Sequence, residues 1–224
     1  MKTGDTPLSI VIVFVFLGAL LTANRSMSQL QTEKGPIDWD NVKKALKAYE
    51  SCPCEENARR LLATVPELPG AVQMGDRKTA SLALLESVLF TDTIVAGDET
   101  LAETAFRLLG YLKGGAIDEE ITISLSRFLI KKPRAFLRLL NKYEFLFSSE
   151  EEYPITMTEI LDMVPDVTSE EDRLRSNAVR KRLYTERLEA LRKVDDPELN
   201  NLRDTCIRII EAIINKLRRS SLAT

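Results

Sequence analysis

The sequence predicts an all-α fold: an irregular helical bundle or short α-solenoid of helical hairpins, with a long C-terminal antiparallel helical hairpin and an N-terminal signal segment in front. Three observations predict it. Apolar residues recur at three- and four-residue spacing through most of the chain, the pattern that lines one face of a helix. No segment alternates apolar and polar residues as a half-buried strand does. Nine prolines and nine glycines fall mostly between the periodic segments, where they stop one helix and open the next.

The chain opens with Lys2, an opposing Asp5 and an uncharged, apolar run of fourteen residues from Leu8 to Leu21. As a helix that run reaches about 21 Å, short of a hydrocarbon core of roughly 30 Å, so it reads as an export signal and not as a span. Leu21 and Ala23 suit the −3 and −1 positions of a cleavage site, which leaves a mature chain starting near Asn24. The alternative is an uncleaved anchor, because Val11, Ile12, Val13, Phe14, Val15 and Phe16 are so apolar. No cysteine follows the run, which argues against lipoprotein acylation. Both outcomes place the rest of the chain outside the cytoplasm, as a free periplasmic or secreted protein or one tethered to the membrane by its N-terminal segment. The expected organisation is a signal peptide or anchor over 1–23, a flexible linker over 24–36, a helical body over 37–165 and a C-terminal helical hairpin over 166–220.

Asp38 suits the N-cap of a first helix running through about Tyr49, with Ile37 and Val42 as a hydrophobic staple and Trp39, Val42, Leu46 and Tyr49 as its apolar stripe. Pro53 fits the first turn of a second helix over 54–64, closed before Pro66 and Pro69. An irregular connection follows over 66–78. A largely buried helix is expected over 79–96, Gly97 stops it, and Asp98 caps the next, which runs to Lys113. After Gly114 and Gly115, Asp118 caps a helix to about Lys131, and Pro133 opens another that carries Phe136, Leu139, Leu140 and Tyr143. These four helices make two hairpins spaced like two-helix repeats, although two units fall short of the three a solenoid needs. A short helix over 155–164 stops at Pro165. Thr168 and Glu171 fit a capping box for a helix over 169–194, and Pro197 starts a last helix with Leu199, Leu202, Cys206, Ile209, Ile210, Ile213 and Leu217 on one stripe.

Composition narrows the function classes. Charged residues at 29% against 44% hydrophobic make a globular balance, and a net charge of −3 gives no overall pull toward nucleic acid or anionic lipid. The chain contains no histidine, which removes the commonest general base and the commonest zinc ligand together. Three cysteines without histidine do not make a zinc set, so neither a metal nor a cofactor is expected.

Cys52-Pro53-Cys54 is the local arrangement with a chemical reading, since two thiols at a helix N-terminus meet unpaired amides that stabilise a thiolate. Against a redox role, the spacing is one residue shorter than Cys-x-x-Cys, and Glu55 and Glu56 oppose a thiolate. The structural reading is a bridge from Cys52 or Cys54 to Cys206, worth about 2–4 kcal/mol if unstrained; a Cys52–Cys54 bond or three separate thiols are the alternatives. Gly70, Gly75, Lys78 and Thr79 are spaced somewhat like a phosphate loop, but Asp76 and Arg77 intervene and no strand leads in. Glu86, inside an apolar helix, has the setting of a helical glycosidase's buried acid, but the glycine-rich continuation such enzymes carry is missing, so it is expected to reach solvent or pair with a basic residue on a neighbouring helix. The acidic runs at Asp118, Glu150 and Glu170 stand at expected helix starts, where the macrodipole favours them.

Arg180, Arg187 and their basic neighbours make 173–193 the most basic stretch, but interleaved acids make it a solvated salt-bridged face. Nucleic acid is not expected as a partner. By elimination, the sequence points to an exported helical binding or scaffold module for a protein partner, with Tyr184, Leu188, Leu191, Arg180 and Arg187 as its interaction face and with self-association through the C-terminal hairpin if Tyr184, Leu188 and Leu191 lie exposed. The alternative is an extracytoplasmic enzyme without histidine, either a thiol oxidoreductase at Cys52 and Cys54 or a carboxylate-based hydrolase.

Overall fold

The computed structural model describes residues 37–65, 67, 90–110, 116–147, 156–164 and 170–220, all within the unit Ile37–Thr224. Among these residues there are nine α-helices and two 3₁₀ turns and no strand. No helix among them is long and apolar enough to cross a membrane. The expectations for the leader, for the Gly70 loop, for Glu86 and for the Thr168–Glu171 box lie outside the described residues.

Helix α1 (Trp39–Ser51) starts where Asp38 takes an extended conformation and its carboxylate accepts the Asn41 N–H at 3.1 Å. Trp39, Val42, Leu46 and Tyr49 are buried as one stripe, and Ile37 packs against the same core. Helix α2 (Glu55–Thr64) starts later than the sequence suggests, so Pro53 precedes the first turn instead of occupying it. The reason is local: the Cys54 N–H bonds back to the Cys52 carbonyl at 2.7 Å around Pro53, which leaves Cys54 extended as the N-cap.

Helix α3 (Phe90–Ala96) ends at Gly97, whose φ of +110° is open to glycine and strained for any other residue. Asp98 then does two things at once. One carboxylate oxygen accepts the Leu101 N–H at 2.8 Å and starts α4 (Glu99–Leu109), while the other accepts the Tyr49 hydroxyl at 2.9 Å and ties α4 to α1. Helix α4 ends at Leu109, where Gly110 turns its N–H to the Arg107 carbonyl at 3.2 Å; the expected continuation to Lys113 lies outside the described residues. Helix α5 (Ala116–Lys131) begins two residues before Asp118, so Asp118 lies inside the first turn and not at the cap; the macrodipole favours an acid there equally.

Pro133 opens α6 (Pro133–Lys142), which buries Phe136, Leu137, Leu139 and Leu140, and a 3₁₀ turn (Glu144–Phe147) follows Tyr143. Helix α7 (Met157–Asp162) is shorter than expected because a reciprocal cap fixes its start: Thr156 Oγ1 accepts the Glu159 N–H at 3.1 Å, and the Glu159 carboxylate accepts the Thr156 N–H at 2.6 Å. Helices α8 (Glu170–Arg192) and α9 (Asn200–Ser220) are joined through a 3₁₀ turn (Pro197–Leu199) capped by Asp196. They pack on each other, and α8 also lies on α5 and α6 while α9 lies on α7 and α6. Arg134 from α6 donates to the Asp195 carbonyl at 2.8 Å and fixes the α8–α9 turn to the body. The core is continuous through these contacts, with Phe106 5.9 Å from both Phe136 and Tyr143.

Candidate functional site

Among the described residues, two buried arginine clusters and an exposed pair of thiols are the groups with chemical potential. Both arginine clusters begin with the same problem. A helix leaves its last carbonyls without intrahelical partners, and here α2 and α7 each run into a valine followed by proline, Val65-Pro66 and Val164-Pro165, so no further N–H arrives from the chain itself.

At the end of α2 the missing donors come from Arg107 on α4. Its Nη1 donates to the Leu62 carbonyl at 2.6 Å and the Val65 carbonyl at 2.9 Å. Its Nη2 donates to Glu103 at 2.8 Å and Glu67 at 3.2 Å, and its Nε to the Tyr143 hydroxyl at 2.9 Å. All five guanidinium donors are thereby used. The same Glu103 oxygen also accepts from Tyr143 at 3.0 Å and from Lys142 at 2.9 Å, and Lys142 reaches Glu67 at 2.8 Å. Two cations face two carboxylates, so the cluster is neutral as a unit. Burial alone would push the Glu103 carboxyl up, but hydrogen bonds from Lys142, Arg107 and Tyr143 outweigh it and hold it below its ordinary value. Glu67 is held low by Lys142, whose own value is raised by the two carboxylates against the pull of burial. Burial pushes the Tyr143 phenol up to about 12.

At the end of α7 the donors come from α8 and α5. Arg187 is fully buried; its Nη1 donates to the Leu161 carbonyl at 2.6 Å, and its Nη2 to the Met163 carbonyl at 2.8 Å and Ser126 Oγ at 2.7 Å. The Tyr184 hydroxyl donates to the Asp162 carboxylate and sits 2.9 Å from the Asp162 carbonyl. The guanidinium lies 5.3 Å from the Tyr184 ring centroid, and its Nε has no partner. Burial lowers the Arg187 value to about 10, still protonated at neutral pH, and burial together with the Asp162 carboxylate raises Tyr184.

Sequence reasoning missed Arg107, Glu103, Tyr143 and Lys142 as a cluster and read Arg187 as a surface group. Two signals point to them. Leu61-Leu62-Ala63-Thr64-Val65-Pro66-Glu67 and Ile160-Leu161-Asp162-Met163-Val164-Pro165-Asp166 share an aliphatic-Leu-x-x-Val-Pro-acid pattern, and each marks a helix end in need of a donor. Arg107 and Arg187 also stand next to apolar stripe positions, Phe106 and Leu108 in one case and Leu188 in the other. An arginine flanked by core positions can be buried where a helix end supplies partners for its donors.

The expected interaction face therefore does not lie open. Tyr184, Leu188, Leu191 and Arg187 are covered within the chain, because α8 turns that side onto α5 and α9, and only Arg180 is half exposed. All three cysteines are free thiols: Cys206 is buried on α9, where burial pushes its thiol up to about 12, whereas Cys52 and Cys54 are exposed on either side of Pro53. Backbone N–H groups of the first turn of α2, Asn57 foremost, and the Cys52 thiol lower the Cys54 value; donating to Cys54 raises that of Cys52. Among the described residues, no group of three or more acidic or cysteine side chains is arranged to hold a metal ion. Protein families, curated proteins and solved structures contain no match to this chain.

Proposed function

We propose that this chain is an exported helical module that binds a protein partner, built from stacked helical hairpins and closed by the long α8–α9 hairpin. The observation that carries the reading is the way its interior charges are used. A catalytic acid or base has its value moved toward the working pH, whereas Glu67 and Glu103 are held further ionised and Lys142 and Arg107 further protonated. Such groups hold helix ends in place and do not pass protons. The hydrolase alternative needs one carboxyl kept neutral, yet Glu67 and Glu103 are bridged by a single Lys142 ammonium and both lie low.

With Tyr184, Leu188 and Leu191 in the core, the partner face moves to α9. Leu202, Ile209 and Ile213 share one flank of that helix and remain only partly buried, beside the fully buried Cys206 and Ile210. A flank of this kind suits the packing of another helix. Export is supported by the leader, and a tether through an uncleaved leader leaves the same surface available.

The experiment is a photo-crosslinking amino acid placed at Ile213 in cells, with Arg182 on α8 as control, followed by fractionation and N-terminal mapping. The expected result is one discrete adduct at Ile213, absent at Arg182, on a chain found outside the cytoplasm and beginning near Asn24 or retaining its leader in the membrane. An adduct of twice the chain mass identifies the partner as a second copy. Intact chain dissolved in the cytosol, or no adduct at Ile213, overturns the proposal.

A further inference from the structure

The exposed thiols have a geometry that neither cluster shares. The 2.7 Å bond from the Cys54 N–H to the Cys52 carbonyl closes a three-residue turn around Pro53, whose ring fixes the central φ near the value such a turn requires. Two residues apart, the Cα atoms are separated by at most about 7 Å, and the turn brings them into the window of roughly 4.4–6.8 Å that a disulfide spans. Asn57 holds the segment from behind, donating to the Cys52 carbonyl at 3.0 Å and the Ala48 carbonyl at 3.1 Å. Glu55 and Glu56, which oppose a thiolate by sequence, each face an arginine one turn along, Arg59 and Arg60. The Cys54 sulfur stands at the N-cap of a ten-residue helix, where the first-turn amides and the macrodipole favour a thiolate.

We propose that Cys52 and Cys54 form a thiol–disulfide exchange pair acting on exposed disulfides of another polypeptide, with Cys54 as the attacking and Cys52 as the resolving thiol. The Cys54 thiolate attacks one sulfur of the substrate disulfide; a Cys54–substrate disulfide forms, the substrate S–S bond breaks, and the departing substrate thiolate takes up a proton. Cys52 then loses its proton and attacks the Cys54 sulfur. The Cys52–Cys54 bond forms and the second substrate thiol leaves protonated. Overall the protein dithiol gives up two electrons and two protons and the substrate disulfide becomes two thiols; a small-molecule thiol such as glutathione regenerates the pair. A thiolate-stabilised reduced form and a small disulfide ring both favour the dithiol, so the exchange is readily reversible, which suits reshuffling of disulfides over their net reduction. This activity is additional to partner binding and needs neither export nor the α9 flank.

The test uses the reduced full-length protein with oxidised glutathione as probe. In the wild type, the peptide carrying both cysteines is expected to lose two hydrogens in mass, while Cys52→Ala accumulates a glutathione adduct on Cys54 and Cys54→Ala reacts at least tenfold more slowly. Peptide-mapped competition with a limiting alkylating agent on the wild type at neutral pH needs no variant: Cys54 is expected to be labelled at least tenfold faster than Cys52, with Cys206 labelled only after unfolding. Equal labelling of Cys52 and Cys54, or a persistent glutathione adduct with no Cys52–Cys54 bond, overturns the proposal. As a functional readout, a scrambled disulfide-bonded test protein in reduced glutathione is expected to regain activity faster with wild type than with Cys54→Ala, and equal rates count against it.

Discussion

Replacing Arg187 with methionine isolates what a buried arginine does at the end of a helix. Methionine fills a similar volume, so the change removes charge and donors without opening a large cavity. The Met163 carbonyl keeps the Ser126 hydroxyl at 3.2 Å, but the Leu161 carbonyl loses its side-chain donor. An orphaned buried acceptor costs about 1–3 kcal/mol, and the lost stacking of the guanidinium on Tyr184 adds about 2 kcal/mol. Removing a buried charge returns part of this, because a guanidinium with an unpartnered Nε carries a desolvation cost of its own. The expected net loss is about 2–4 kcal/mol, a fall in urea midpoint of roughly 1–2 M at a slope of about 2 kcal/mol/M. Arg192→Met, on the same helix but exposed and paired with Glu211, is expected to change stability by less than about 0.5–1 kcal/mol. Urea unfolding of both variants by far-ultraviolet circular dichroism checks the pair. An Arg187→Met protein as stable as wild type, or more so, would mean that the buried charge costs more than the helix end gains, and the reasoning fails.

The second cluster is open to titration. Glu103 has a folded value below its unfolded 4.5, so its carboxylate contributes stability above that pH, and the contribution is lost as pH falls through the folded value. Glu103→Gln is therefore expected to be less stable than wild type by about 1–3 kcal/mol near neutrality, with the gap closing as pH drops below 4.5; a gap independent of pH contradicts this. At the alkaline end, Tyr143 has its value raised from 10 to about 12, so the stability it contributes is fully present below pH 10 and is lost as pH rises through about 12. Phenolate absorbance should accordingly show buried tyrosines ionising together with the loss of helix, and ionisation of every tyrosine near 10 with helix intact counts against it. Gly97→Ala is expected to cost about 1–3 kcal/mol through backbone strain, since the added methyl would meet Lys132 at 3.5 Å and Lys131 at 3.9 Å, both ordinary contacts; thermal unfolding unchanged from wild type refutes the strain.

The helices were legible in the sequence wherever their signals were local. Asp38, Gly97, Asp98 and Pro133 act within one turn of their own position, so the starts and stops they announce are where the chain places them. The Thr156-x-x-Glu159 box is just as local, and it starts α7 two residues later than the apolar pattern alone suggests. Arg107 and Arg187 are a different matter. Each completes a helix end contributed by another segment, 42 residues away for Val65 and 26 for Leu161, and no periodicity reports such a partnership. Tyr184, Leu188 and Leu191 make an apolar stripe that fits an intrachain core and an interface equally well; only the packing of α8 on α5 and α9 separates the two. Cys54 sits where the sequence put it, at a helix start, but the turn that pairs it with Cys52 depends on Pro53 standing outside the helix.

The most direct measurement of how this molecule is held together is the exchange of guanidinium protons, followed by nitrogen-resolved NMR on arginine side chains with Arg107 and Arg187 assigned by substitution. Arg107 and Arg187 are expected to keep distinct, slowly exchanging Nη signals at neutral pH while exposed arginines such as Arg182 and Arg192 average with water. If Arg107 and Arg187 exchange as fast as those two, neither closes a helix end, and the reading of the interior charges as structural ties is wrong.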